Sequence, residues 1–255
     1  TVAHTIARVV DTEGWISADT HLHSINSIDS GIDLETRVLA VAAEGVEWAI
    51  ATDHNYVTDY EPTIWGLGLY EWMRGTVGIE LTTQESGHFN GYPLNYDVGA
   101  VTHGAFATSL RPPGELFAML RELGKYSPEE TVVQVNHPRD SITGYFNQYD
   151  RDALTTEFSD ELDLLDQLIF DQTGSVIDVF GPAFFEIGED GRPVGATPDE
   201  WVTTYSSDFD ALEVLNGKLF WSIHHFRDEE GRIVREDGEV TSPGAVDDWY
   251  NLLNL

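Results

Sequence analysis

Short runs rich in Val, Ile and Ala alternate along the chain with stretches whose apolar residues recur every three or four positions. The runs WISADTHLH (15–23), VEWAIATDH (46–54), TVGIELTT (76–83), TVVQVNHP (131–138), SVIDVF (175–180) and FDALEVLNG (209–217) predict strands. Helices are predicted over Leu34–Glu44, Pro113–Leu123, Phe158–Gln172 and Asp247–Leu253. Strand then helix, repeated, implies a mainly parallel α/β sheet or barrel in a single unit. Residues 1–14 read as a leading segment or linker from an upstream region, and 15–255 as the domain. Pro182–Thr197 reads as an excursion, and Arg227–Gly244 as a surface hairpin or loop.

The polar residues are placed unevenly on this pattern. His21 and His23, then Asp53 and His54, then Glu80, then His137, all fall towards the C-terminal ends of apolar runs, the edge that carries chemistry in barrels and doubly wound sheets. Composition narrows what that edge can do. The 255 residues carry 13 Lys+Arg against 45 Asp+Glu, a net charge of −32, which repels nucleic-acid backbones and anionic membranes. A small, weakly charged substrate is the better match. A chain of this length buries roughly 70–75% of its unfolded surface, so a metal site is not needed to hold the core. With no Cys, disulfides, thiol nucleophiles and thiolate zinc sites are excluded. The acidity and the non-Met first residue favour a secreted or periplasmic setting over a cytoplasmic one.

The candidate ligands follow from strand geometry. Period-2 alternation puts Asp19, His21 and His23 on one face, and two imidazoles side by side suit one divalent ion. Asp29, in the Ser/Gly-rich turn beyond, can fold back and offer a carboxylate. At the end of the second run His54 is the expected ligand, with Asp53 orienting a neighbouring group from the outer shell as Asp19 could. Glu80 can bridge two ions through its two oxygens. His88 follows in GHFN, and Pro138 ends the fourth run directly after His137. Mixed imidazole and carboxylate donors favour zinc, manganese or iron over calcium or magnesium. Arg139, a cation beside that edge, could receive a substrate anion or pair with an acidic neighbour. His4, His103, His224 and His225 read as packing or surface residues, and Asn136 and Asn216 as backbone braces.

Taken in order, HLHSINSID, TDHN, GIE, GHFN, NHPR and ALEVLNG resemble the PHP (polymerase and histidinol phosphatase) superfamily of metal-dependent hydrolases, and GIELTTQESGHFNGYPL looks most like its carbaryl-hydrolase-like CehA/McbA branch. The resemblance runs from about Trp15 to Gly217. It implies a distorted (β/α)7 TIM-like barrel with two or three divalent metal ions at its mouth. It places His21, His23 and Glu80 on a first metal, Glu80, His88 and His137 on a second, and Asp29 and His54 on a third. The family's closing Gly-x-x-Asp-x-His motif does not occur up to Leu255. Either it lies beyond that residue with the last strand, or two ligands are lost.

These readings imply an enzyme in which a metal-bridged hydroxide, positioned by Glu80, cleaves a phosphoester or a small carboxyl or carbamate ester. The alternative is a non-catalytic metal- or ligand-binding barrel within a larger secreted protein. Partners expected are a small-molecule ester substrate, with neither nucleic acid nor membrane.

Overall fold

The computed structural model describes residues 13–83, 86–108, 111–140, 143–149, 204–214, 226–227, 233–234 and 245–253. The predicted strand 175–180, the helix Phe158–Gln172, the excursion Pro182–Thr197 and His4, Asn216, His224 and His225 lie outside them. The described strands form three sheets, ordered β1-β2-β3, β4-β5-β6-β7 and β8-β9, with no closed barrel among the described residues. Their bounds are β1 Ala18–Leu22, β2 Trp48–Ala51, β3 Arg74–Thr76, β4 Ile79–Thr82, β5 His88–Tyr92, β6 Val132–Val135, β7 Ala211–Leu212, β8 Phe226–Arg227 and β9 Ile233–Val234. The helices are α1 Leu34–Ala43, α2 Glu61–Gly66, α3 Pro113–Glu122, α4 Tyr145–Gln148 and α5 Ala245–Leu252. None of them is long and apolar enough to cross a membrane.

Contacts divide the chain into two units that alternate along it. The first comprises Thr1–Leu81, Asn90–Phe106 and Leu120–Val132, and the second Thr82–Phe89, Ala107–Met119 and Val133–Leu255.

In the first unit β1, β2 and β3 pair in parallel. Helix α1 starts where the sequence placed it, because Asp33 accepts hydrogen bonds from the Thr36 amide (2.9 Å) and hydroxyl (2.7 Å) and so caps the first turn. Val38 and Val41 of α1 pack with Leu22, Ala49, Ala51, Tyr60, Ile64 and Met73 into one buried cluster. The run 76–83, expected to be one strand, is two: β3 ends at Thr76 and β4 begins at Ile79 in a different sheet. Gly78 lies between them, and a Cβ there would come 2.7 Å from the Ala51 carbonyl oxygen and 3.0 Å from that of Gly91. Only a residue without a side chain permits that approach. Helix α2, with Pro62 in its first turn, is too short to show a helical period and was not foreseen.

In the second unit β6 and β7 pair in parallel, Gln134 opposite Ala211 and Val135 opposite Leu212. The core is aromatic: the buried Tyr145 ring lies 5.1 Å from Phe89, edge on, and 5.0 Å from Tyr205, stacked. Such pairs add about 0.5–1.5 kcal/mol each beyond burial. Helix α5 begins two residues before the expected Asp247. Strands β8 and β9 form an antiparallel pair where the hairpin was expected. Gly87 has φ +100°, and a Cβ on it would sit 2.9 Å from the Tyr145 backbone nitrogen. Gly87→Ala is therefore expected to destabilise the protein by about 2 kcal/mol or more, read as a lower midpoint in chemical denaturation.

Candidate metal centre

The first unit assembles its candidate ligands at one end of the β1-β2-β3 sheet. β1 enters this end irregularly: Asp19 is opposite Ala49 but Leu22 is opposite Ala51, so three steps on one strand match two on the other. Such a bulge frees an amide from the ladder. The His21 N–H is taken up by the Asp19 carboxylate at 3.0 Å. Thr52 then fixes the strand end, its hydroxyl contacting Leu22 N (2.8 Å) and its amide donating to Leu22 O (3.0 Å). Asp19 thus acts on the backbone of His21.

Beyond β2, the Glu80 amide donates to Asp53 O (3.1 Å) and the Asn55 amide to Glu80 O (2.9 Å), which sets His54 and Glu80 side by side in a parallel bridge. Glu80 is the second residue of β4 rather than its last, and it is fully buried. Its Oε2 lies 3.0 Å from His23 Nε2 and 2.9 Å from His54 Nδ1, and its Oε1 lies 3.3 Å from His21 Nε2. The His23 and His54 rings meet edge on at 4.5 Å. Burying an ionised carboxylate costs several kcal/mol unless cationic or donor groups compensate it. Three imidazoles facing its two oxygens, or a cation among them, meet that need.

His23, His54 and Glu80 each offer a ligand atom within 4.8 Å of the others, so they could hold one metal ion. Two imidazoles and one carboxylate are the donor set of catalytic zinc sites that keep a position open. Asp29 occupies the other side of His23, its Oδ1 2.9 Å from Nδ1, while its Oδ2 is 3.8 Å from His54 Nε2. Each His23 nitrogen faces a carboxylate, Nδ1 that of Asp29 and Nε2 that of Glu80; with a metal in place of the Nε2 proton, Asp29 would keep the proton on Nδ1. In this arrangement Asp29 orients His23.

Burial alone would lower the His23 pKa, but the Glu80 and Asp29 carboxylates outweigh it and raise it above the ordinary 6.5. Burial alone would raise that of Asp29, but hydrogen bonds from His23 and Ser27 hold it down at about 2, against the usual 3.8.

Asp53 does not touch an imidazole as expected of an outer-shell partner. It is buried, and accepts from the Ser24 amide (2.5 Å), the Ser24 hydroxyl (2.7 Å) and the Thr58 hydroxyl (2.5 Å), tying down the loop that follows His23. The Arg37 Nε donates to the His23 carbonyl at 2.6 Å from below the same loop.

In the second unit the His88 and His137 rings lie 4.9 Å apart. His137 has φ +26°, and its amide donates to the Glu213 carboxylate at 2.7 Å. Thr143 Oγ1 lies 3.2 Å from His137 Nδ1. The Asn136 amide donates to His88 O (3.0 Å), and its side-chain oxygen accepts from the Gln134 side-chain amide (3.0 Å), a side-chain partner where a backbone one was expected. Arg139 is not available to a substrate anion in this arrangement. Its Nε and Nη2 donate to the two oxygens of Asp248 at 2.7 and 2.6 Å, and both side chains are buried. Of the residues held back as bland, His103 packs between Tyr56 and Tyr96, at 5.0 and 4.3 Å.

Sequence reasoning missed Ser27, Glu213 and Asp248. Ser27 gave a faint signal, a small polar residue four positions after His23 in a turn; the other two lie 76 and 109 residues from the partners they hold. No known protein-family model matches this chain, and no curated protein matches it.

Proposed function

We propose that the protein is a PHP-like metal-dependent hydrolase that cleaves a phosphoester or a small carboxyl or carbamate ester, using zinc, manganese or iron. The observation that carries this reading is the convergence of His23, His54 and Glu80 on one point at the end of a parallel sheet, with Glu80 fully buried. A divalent ion bound there would supply Lewis acidity, bringing the pKa of water from 15.7 down towards about 7 and polarising the substrate. The chain's own residues prepare the position. Asp29 keeps the His23 proton on Nδ1, Glu80 supplies the anionic ligand, and the His54–Glu80 backbone bridge fixes the separation of those two donors. His21, against the other oxygen of Glu80, is the nearest further donor. The resemblance assigns His88 and His137 to a second ion.

The test is reconstitution of the full chain with zinc or manganese, elemental analysis, and a panel of aryl phosphates, carboxylate esters and carbamates. More than one equivalent of metal with turnover of one ester class is the expected result. No metal after reconstitution would remove the hydrolase reading, and metal without turnover would favour the non-catalytic barrel.

Acidity supplies a separate check on the metal-free protein. The raised His23 stabilises the fold below pH 6.5 and loses that contribution as pH rises through its folded value. The lowered Asp29 stabilises above pH 3.8 and loses its contribution as pH falls through about 2. This pair is therefore expected to support the metal-free protein most between roughly pH 4 and 6.5. Metal binding requires His23 to lose its extra proton, so added zinc should move the pH of highest melting temperature upward. Calorimetric melts across pH, with and without zinc, would show no such movement if zinc displaces no proton from this cluster.

A further inference from the structure

We propose that Ser27 is the positioning residue of this centre: its one buried hydroxyl ties together three of the residues that the metal reading uses. Ser27 Oγ accepts from the His54 amide at 3.1 Å, donates to Asp29 Oδ1 at 2.7 Å, and lies 3.2 Å from His23 Nδ1. The side chain is almost wholly buried. It is held in turn by its own amide, which donates to Ser24 O at 2.9 Å.

The geometry excludes the obvious rival. A serine flanked by histidine and carboxylate could be a nucleophile, but this hydroxyl is shielded from solvent, and its proton is engaged by Asp29 at the shortest of its three contacts. Its work is conformational. The hydroxyl has one proton and it goes to Asp29, so His23 Nδ1 must be the donor towards the Asp29–Ser27 pair, which leaves Nε2 facing Glu80 as the ligating nitrogen. The same oxygen fixes the backbone that presents His54. One atom thereby holds the carboxylate that orients one imidazole and the backbone that presents another.

This inference rests on the metal reading, and the experiment separates the two. Zinc affinity of the full chain is measured against a competing chelator for wild type, Ser27→Ala and Ser24→Ala. Ser24 is the control, because its buried hydroxyl sits in the same loop but donates to Asp53 and touches no candidate ligand. Ser27→Ala should weaken zinc binding about 10–100-fold, the usual cost of losing an outer-shell partner. Ser24→Ala should weaken binding clearly less than Ser27→Ala, because its hydroxyl reaches Asp53 rather than a candidate ligand. Unchanged affinity in Ser27→Ala, or an equal loss in both variants, would overturn the assignment. If wild type binds no zinc, the metal reading fails, and Ser27 is judged on hydrogen exchange of the His54 amide in the metal-free protein. Exchange at least about 10-fold faster in Ser27→Ala than in wild type and Ser24→Ala supports the positioning role, and equal rates reject it. Should Ser27→Ala not fold, Ser27→Thr, which keeps the hydroxyl, must retain wild-type affinity; a folded Ser27→Thr with weakened binding also rejects it.

Discussion

Glu80→Gln is expected to abolish most hydrolysis in the zinc- or manganese-loaded protein. The substitution keeps the shape of a fully buried side chain and removes its charge. It also turns one acceptor into an amide donor, which cannot ligate and would point its hydrogens at His21 on one side, or at His23 and His54 on the other. Losing an outer-shell partner costs about 10–100-fold in affinity or activity, so losing the anionic ligand should cost about 1,000-fold or more. Metal content should fall with it. Glu80 faces three imidazoles, so losing its charge also loses their pairing, and calorimetry of the metal-free variant separates a lost ligand from a weakened fold. Unchanged hydrolysis would take Glu80 out of the mechanism.

The second large effect is expected on stability. Arg139→Met leaves Asp248 buried without its bidentate partner, and stranding a buried charge in this way costs about 3–5 kcal/mol. For a chain of this size that corresponds to a fall in melting temperature of roughly 10 °C. Adding Asp248→Leu should recover most of the loss, because replacing both partners by apolar groups removes the stranded charge. Zinc affinity should not change in either variant. If Arg139→Met melts like wild type but loses turnover, Arg139 contacts substrate after all, as its place in the sequence suggested.

What the sequence revealed and what it hid divide along a physical line. HLH, TDHN and GIE were legible because each is local: a donor at or near the end of an apolar run. The start of α1 at Leu34 was legible for the same reason. The β1 bulge was not, since period-2 alternation carries no mark of an extra residue until the partner strand is known. The division of TVGIELTT at Gly78 depends on the Ala51 and Gly91 carbonyls, 27 and 13 residues away in sequence. Asp53 illustrates the limit most plainly. Its position beside His54 suggested an imidazole partner, whereas the loop of Ser24 and Thr58, brought in by the fold, claims both of its oxygens.

The tryptophans carry a practical consequence for all of these measurements. Trp15, Trp48, Trp65, Trp72 and Trp249 are solvent-exposed in the folded chain. These five of the seven tryptophans already face water, so their share of the emission should shift little on unfolding, and circular dichroism or calorimetry gives a readout of these variants that does not depend on them.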